Sequence, residues 1–476
     1  MAEQKTATKT AAKATSQPKP MTIYTCYVVD IKSQFVTEKG EVTGSRKVDE
    51  KLMRATRKVC LDALKFCAEL FLKEWESLKD LQSLEMKSRC EMLIHTAKDS
   101  IAKYPEFDEK FPYLPSYTRR AIVADALGIV RSYRSNHKNW EALSPAERGA
   151  EPKMGFPTVY ELTFYKADRK LNFDSGIMEL KLYDGTKWGW YAFRINKSES
   201  EYIARMSQTR KLLSPVVEKT KEKYRVRFCF EEKRQLVQNE CPLKYRILAV
   251  DLGINAPASW SVLTADGTVH ARGVIHLDRD EDRLNRRINR KRMYQQAGKK
   301  SKNIYRAITS ANRQLAIDTA KAIMDTAVAY DVDCIVFEYL DLTGKKKGRK
   351  YRERIHMWRA NDVQSRVELQ AHRMGMRISR VCAWGTSKYA FDGSGITNRR
   401  SVYHYEHGTK KYNYSVCTFQ SGKIYNCDLN ASYNIGARFF LREYEKLDGC
   451  PKLPPVPMRT LDTLLTLLYS SGEKAA

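Results

Sequence analysis

Long apolar runs are missing from this sequence. Nowhere do about 18 apolar residues follow one another, so no segment reads as a membrane-spanning helix. The N-terminal lysines precede no apolar stretch, which argues against a secretory signal. Residues 1–20, rich in Lys, Ala and Thr, read instead as a solvated, disordered basic tail. The protein is expected to stay in the cytoplasm. Paired cysteines are missing too: the eleven cysteines lie singly between Cys26 and Cys450, and no two have C-x-x-C spacing. That speaks against a ready-made zinc knuckle. With cytosolic thiols held reduced, a disulfide framework is not expected either.

Negative charge is scarce relative to positive. Eighty-four Lys and Arg face 56 Asp and Glu, a net charge of +28 over 476 residues. A small excess is explained by a solvated basic surface. One this large costs self-repulsion unless a polyanion neutralises it. A nucleic-acid partner, bound with release of its counterions, is therefore expected. The length allows roughly two to four domains, and the 42% hydrophobic fraction is ordinary for a soluble globular chain.

Three regimes follow the tail. Residues 22–31 (TIYTCYVVDI) read as a strand, and helical periodicity then runs from about 48 to 140. Val59, Ala63, Phe66 and Leu70 mark one helix face. Cys60, Leu64, Cys67 and Phe71 repeat the spacing beside it, so the stripe is wide. Further helices are expected at 84–103 and 118–135. Residues 155–240 turn to strands, with a hairpin around Asp184 and Gly185 and another strand at 226–230. Trp188, Trp190 and Tyr191 read as barrel core. The helical block thus looks inserted into a β domain.

Beyond Tyr245 the chemistry begins. Residues 245–251 (YRILAVD) form a near-continuous apolar strand, as a central sheet strand should. Strands are expected at 259–263, after the turn at Asp266 and Gly267 at 268–277, at 333–337, and at 377–383. Basic helical text fills 283–330, and a helix covers 357–374. Three strands in hairpin order, then helix, strand, helix, strand, is the order of an RNase H-like fold. Asp251 ends its first strand, Glu338 its fourth, and Asp428 opens a helix in NCDLNASYNIGARF. Each acid alone reads as a turn or cap residue. At the ends of neighbouring elements they instead meet, and three carboxylates at one point call for cations. Hard oxygen ligands suit Mg²⁺ or Mn²⁺. Two such ions about 3.5–4 Å apart cleave phosphodiesters in known metallonucleases.

The run ILAVDLGINAPASWSV resembles the first RuvC motif of type V CRISPR-associated effectors and of their transposon-encoded relative TnpB. CIVFEYLDL resembles the second motif and NCDLNASYNIGARF the third. RLNRRINRKRMYQQAGKKSKNIYRAI is similar to the basic segment after the first motif, and MGMRISRVCAWGTS to the approach to the target-nucleic-acid-binding insert. The resemblance covers about residues 245–440. It implies a multidomain chain of α/β, β and α parts. A RuvC nuclease domain would occupy 245–384 and 428–476, and the insert 385–427. A β-barrel wedge domain would be split over 21–46 and 152–244, with a helical recognition lobe at 47–151 inside it. It also implies an Mg²⁺-dependent DNA endonuclease with Asp251, Glu338 and Asp428 as catalytic metal ligands. The resemblance implies guide RNA and target double-stranded DNA as partners, with a homodimer on one guide as a further possibility, in a prokaryotic setting. Relatives carry two cysteine pairs where this chain has Ala390 and Gly393, then Cys417 and Gln420, so the structural zinc is not expected. A substitute site from His404, His407, Cys417 and Cys427 is a minor alternative.

Metals see only phosphate, so sequence specificity has to come from guide pairing, with a basic channel holding the A-form heteroduplex by its backbone. Arg283, Arg286, Arg287, Arg290, Lys291 and Arg292 are candidates, with Lys299, Lys300 and Lys302 behind them. A second cluster, Lys345, Lys346, Lys347, Arg349 and Lys350, is placed to funnel single-stranded DNA. A TnpB-like nuclease, a guided binder that silences without cutting, and a guide-free transposase or resolvase remain as alternatives. The leucine stripe Leu461, Leu464, Leu465, Leu467 and Leu468 is expected to dock on the core.

Overall fold

Alternation and continuity of apolar residues sort the chain into open sheets and the helices that cover them. A computed structural model describes residues 20–38, 41–97, 101–221, 223–237, 241–253, 256–340, 359–406, 409–447 and 450–472. All but Pro20 of the expected basic tail lies outside these. Two units divide the chain, Tyr24–Glu232 and the remainder, most of it from Lys233 on.

The front unit begins with β1 (Met21–Asp30), β2 (Ser33–Glu38) and β3 (Glu41–Arg46). Helix Glu50–Lys73 follows, capped by Asp49, whose carboxylate accepts from the backbone of Lys51 and Leu52. Cys60, Leu64, Cys67 and Phe71 are all fully buried on its inner stripe. It packs on helix Ser116–Glu141, longer at both ends than the sequence suggests. Helix Ser83–Ile94 stops well short of residue 103. After these come β4 (Leu162–Thr163), β5 (Arg169–Asn172), β6 (Ile177–Tyr183) and β7 (Trp188–Arg194). The Asp184 carboxylate accepts from Thr186 N and Lys187 N, and Gly185 sits at φ +111°, which makes the β6–β7 turn. Helix Lys197–Thr209 stands where the sequence pattern suggests strands. Then follow β8 (Lys211–Leu212), β9 (Val216–Lys219) and β10 (Tyr224–Arg234).

These strands make two sheets, β1-β10-β9-β4 with β8 on β10, and β3-β2-β7-β6-β5. Neither closes on itself, so the expected barrel is replaced by open sheets. Trp188, Trp190 and Tyr191 are half-buried on β7: Trp188 and Tyr191 pack against the core, and the Lys170 ammonium lies 4.6 Å from the Trp190 ring centre.

The second unit is built on β11 (Ile247–Asp251), β12 (Ala258–Leu263), β13 (Val269–Ile275), β14 (Cys334–Tyr339) and β15 (Arg377–Cys382). The order is β13-β12-β11-β14-β15, with β11 parallel to β14 and β14 to β15. Between β13 and β14 run helices Asp278–Gln296 and Lys302–Ala329, and helix Ala360–Arg373 precedes β15. Leu248 and Val250 face one layer, with the last two of these helices. Ile247 and Ala249, with Cys334 and Val336, face the other, covered by helices Cys427–Tyr444 and Leu461–Gly472. Leu461, Leu464 and Leu467 are buried there, so the leucine stripe docks on the core. Two small hairpins precede the Cys427 helix, β16 (Tyr403–Glu406) with β17 (Thr409–Tyr412), and β18 (Val416–Thr418) with β19 (Ile424–Asn426). No helix of the described residues is long and apolar enough to cross a membrane.

Candidate active site

Strand alternation decides where the three acids point. Asp251 continues the face of Ile247 and Ala249, and Glu338 that of Cys334 and Val336, so both lie on the layer covered by the Cys427–Tyr444 helix. The parallel register, Val250 beside Phe337, brings Asp251 alongside Glu338 one step further on. The helix starts under its Asn426 cap, whose side chain accepts from Asp428 N and Leu429 N at 2.9 Å each. Asp428 therefore sits in its first turn. Gly436 lets this helix lie close to the sheet: a Cβ there would stand 2.7 Å from Leu263 Cδ1 and 3.3 Å from Ala249 Cβ.

The three carboxylates are half-buried, and Asp251 feels the charge of the other two. Burial, then the charge of Glu338, then that of Asp428, hold the Asp251 carboxyl well above the usual carboxylate range. Burial also raises Glu338 and Asp428. The Thr386 hydroxyl, 2.5 Å from Glu338 Oε1, works against that rise at Glu338, and Arg399 works against it at Asp251 and Asp428. Opposite Asp251 on β12 is Ser259, whose buried hydroxyl makes no hydrogen bond to the described residues. Among the described residues no three His, Cys, Asp or Glu side chains stand together as a metal-ligand set. The acids are neighbours in charge, not a finished cage.

Sequence reasoning misses Arg399, Thr386 and a buried polar stripe. Asn430, Asn434 and Arg438 repeat every four residues along one face of the Cys427–Tyr444 helix, and all three are buried. Asn430 accepts from Phe391 N and donates to Tyr389 O, while Asn434 donates to Thr386 O and Tyr389 O. Arg438 donates to the carbonyls of Cys382, Trp384, Arg459 and Pro457. The helix thus fastens the segment after β15, which carries the hydroxyl that holds Glu338. A signal for the stripe does exist: polar residues at four-residue spacing in an otherwise apolar helix.

The two positions without cysteine are filled by packing. Ala390 is buried against Cys417, Phe419 and Cys427, with Phe391 and Tyr425 around them. Gly393 takes φ +71°, and a Cβ there would collide with the Asp462 side chain. His404 is exposed on β16 while Cys417 and Cys427 are buried, and His407 lies outside the described residues. On the β16–β17 hairpin Tyr403 and Tyr405 are exposed, as is Tyr414 just after it, and the Lys410 ammonium lies 3.6 Å from the Tyr403 ring centre. Exposed aromatics beside cations suit the stacking of unpaired bases.

Of the basic candidates, Arg283, Arg286, Arg290, Arg292, Lys299, Lys300 and Lys302 are exposed, while Arg287 and Lys291 are half-buried. Arg287 donates to Ala307 O at 2.7 Å and ties its helix to the next. Its remaining guanidinium donors stay candidates for a phosphate. Lys345, Lys346, Lys347, Arg349 and Lys350 lie outside the described residues.

A family model described as the Aq_aa04 family matches residues 36–184. No curated protein matches the chain. Among solved structures it is similar to the mini-RNA-guided endonuclease CRISPR-Cas phi3, at 11% identity over 89% of this chain and 93% of that one, with a TM-score of 0.49. It is also similar to the Cas12f1–sgRNA–target DNA complex, at 11% identity, 86% and 99% coverage and a TM-score of 0.43. A third is CasPhi-2 (Cas12j) bound to crRNA and phosphorothioate-DNA, at 10% identity, 88% and 92% coverage and a TM-score of 0.42.

Proposed function

We propose that the protein is an RNA-guided DNA endonuclease, a compact type V CRISPR-associated effector whose second unit is an RNase H-like, RuvC-type nuclease. One observation carries the reading: Asp251 and Glu338 lie side by side at the ends of neighbouring strands, Asp428 opens the helix that covers their face, and the first feels the charge of the other two. The sheet order β13-β12-β11-β14-β15 is consistent with that fold. In the same reading residues 385–427 receive target nucleic acid, residues 47–151 act as a recognition lobe, and 21–46 with 152–244 act as the wedge domain.

Asp251, Glu338 and Asp428 would hold Mg²⁺ or Mn²⁺. Their oxygen donors suit such ions, and a divalent cation relieves the repulsion that raises Asp251. When bound, the metal supplies the electrophilic stabilisation of the scissile phosphate and of the attacking water. The chain's own residues do the rest. Thr386 fixes the orientation of Glu338, and Arg399 offsets negative charge at Asp251 and Asp428. Arg283, Arg286 and Arg290 grip phosphates without reading bases.

The test is to express the chain with its native locus, sequence the RNA that co-purifies, and challenge the complex with a plasmid target and Mg²⁺ beside Asp251→Ala. A discrete RNA and cleavage abolished in the variant are expected. A discrete RNA with binding but no cutting would favour a silencing role. No discrete RNA would return the chain to guide-free carboxylate nucleases.

A further inference from the structure

Two thiols of the front unit meet across a sheet, far from the carboxylates and used by nothing described above. β1 is the edge strand and β10 its neighbour. Ile31 N donates to Tyr224 O at 3.0 Å, and the Asp30 carboxylate accepts from Arg225 Nε at 2.9 Å. The strands therefore run antiparallel, with Ile31 opposite Tyr224 and Asp30 opposite Arg225. Counting back along this register sets Cys26 directly opposite Cys229. Since Ile31 and Tyr224 form a hydrogen-bonded pair, alternation makes Cys26 and Cys229 a non-hydrogen-bonded pair, the kind whose side chains approach most closely. Their sulfurs are 2.6 Å apart, nearer to the ~2.05 Å of a disulfide bond than unbonded sulfurs sit. Cys26 is exposed and Cys229 half-buried, whereas Cys60, Cys67, Cys90, Cys334, Cys417 and Cys427 are buried.

We propose that Cys26 and Cys229 form a reversible disulfide that clasps the front unit at both ends of its chain. The two residues are 203 positions apart, and nearly all of the Tyr24–Glu232 unit lies between them. The oxidant is a small-molecule disulfide of the glutathione class. Cys26, the exposed partner, loses its proton to solvent and attacks one sulfur of oxidised glutathione, and one glutathione thiolate leaves. Cys229 then loses its proton and attacks the Cys26 sulfur of the mixed disulfide, expelling the second glutathione thiolate. Two protein thiols become one disulfide, and one glutathione disulfide becomes two thiols. Burial, and then the Cys26 sulfur beside it, push the Cys229 thiol up to about 12, which leaves the first attack to the exposed Cys26. This is a single clasp, and it does not depend on the nuclease reading.

The experiment poises the full-length chain in a series of reduced-to-oxidised glutathione buffers, quenches with acid, blocks free thiols with N-ethylmaleimide and maps peptides by mass. A linked peptide pair holding Cys26 and Cys229 should grow with oxidised glutathione through one midpoint and vanish with dithiothreitol. In Cys229→Ser, Cys26 should instead carry glutathione. The urea midpoint of the oxidised wild type should exceed that of the reduced form, a difference absent from Cys26→Ser. Separate N-ethylmaleimide adducts on Cys26 and Cys229 at the most oxidising end would overturn the proposal. So would a wild-type Cys26 that stops at the glutathione adduct, and both outcomes are read on wild type even where a serine variant fails to fold.

Discussion

At Thr386 one hydroxyl touches Glu338 while the same residue's carbonyl is held by Asn434. Thr386→Val keeps the shape and removes the donor. A net loss of ~1–1.5 kcal/mol is expected, roughly tenfold in single-turnover cleavage by the loaded complex. Thr386→Ser should retain most of the rate. Asp251 raises a separate question of stability. Its folded carboxyl is held well above the usual carboxylate range, so the native state takes up a proton more readily than the unfolded chain does. That group adds no penalty while both states are protonated, below about pH 4. Stability then falls as pH rises toward the raised value, and the loss is complete above it. Asp251→Asn is uncharged at every pH. In chelator its unfolding midpoint should exceed wild type at neutral pH, and the difference should vanish near pH 4. The same substitution should abolish cleavage.

Among the elements, the Cys427–Tyr444 helix carries most of the order around the acids. Gly436→Ala would press a methyl on Leu263 and Ala249, at an expected cost of ~1–3 kcal/mol in denaturant unfolding. On the β16–β17 hairpin, Tyr403→Ala with Tyr405→Ala should weaken single-stranded DNA binding by ~1–3 kcal/mol for each stacked base in a fluorescence titration. Legibility differs between elements for physical reasons. β11 and β14 announce themselves because a strand buried on both faces must be a continuous apolar run, and ILAVD and CIVF are such runs. The β6–β7 hairpin is equally plain from Asp184 and Gly185. Helix Lys197–Thr209 escapes the strand pattern read around it, although Asn196 and Glu199 form a capping box that is visible as N-x-x-E. The open sheets of the front unit read as a barrel in sequence because closure depends on which distant strands pair, and no local pattern encodes that. The acids are legible as strand-end and helix-start residues. Their companions Thr386 and Arg399 are not, because they belong to irregular backbone whose path is fixed by distant partners, Asn434 holding Thr386 O and Thr418 pairing with Asn398.

On the nuclease reading, the charge of the whole chain makes nucleic-acid binding a matter of salt. Affinity for a heteroduplex should fall steeply and linearly on a log–log plot against salt concentration. Replacing Arg283, Arg286 and Arg290 with alanine should flatten that slope by roughly 0.7–0.9 for each phosphate no longer neutralised. Sequence preference should stay unchanged, as measured by filter binding to matched and shuffled targets. The three carboxylates have a consequence in time as well. Asp251, Glu338 and Asp428 are spread over the second unit, and the last lies on the helix that pins the others' surroundings. A nascent chain emerging from the ribosome therefore exposes Asp251 and Glu338 long before Asp428 exists. On the nuclease reading it stays harmless to the nearby chromosome until that helix is made and seated, so the ability to cut waits on the last-made of the three acids.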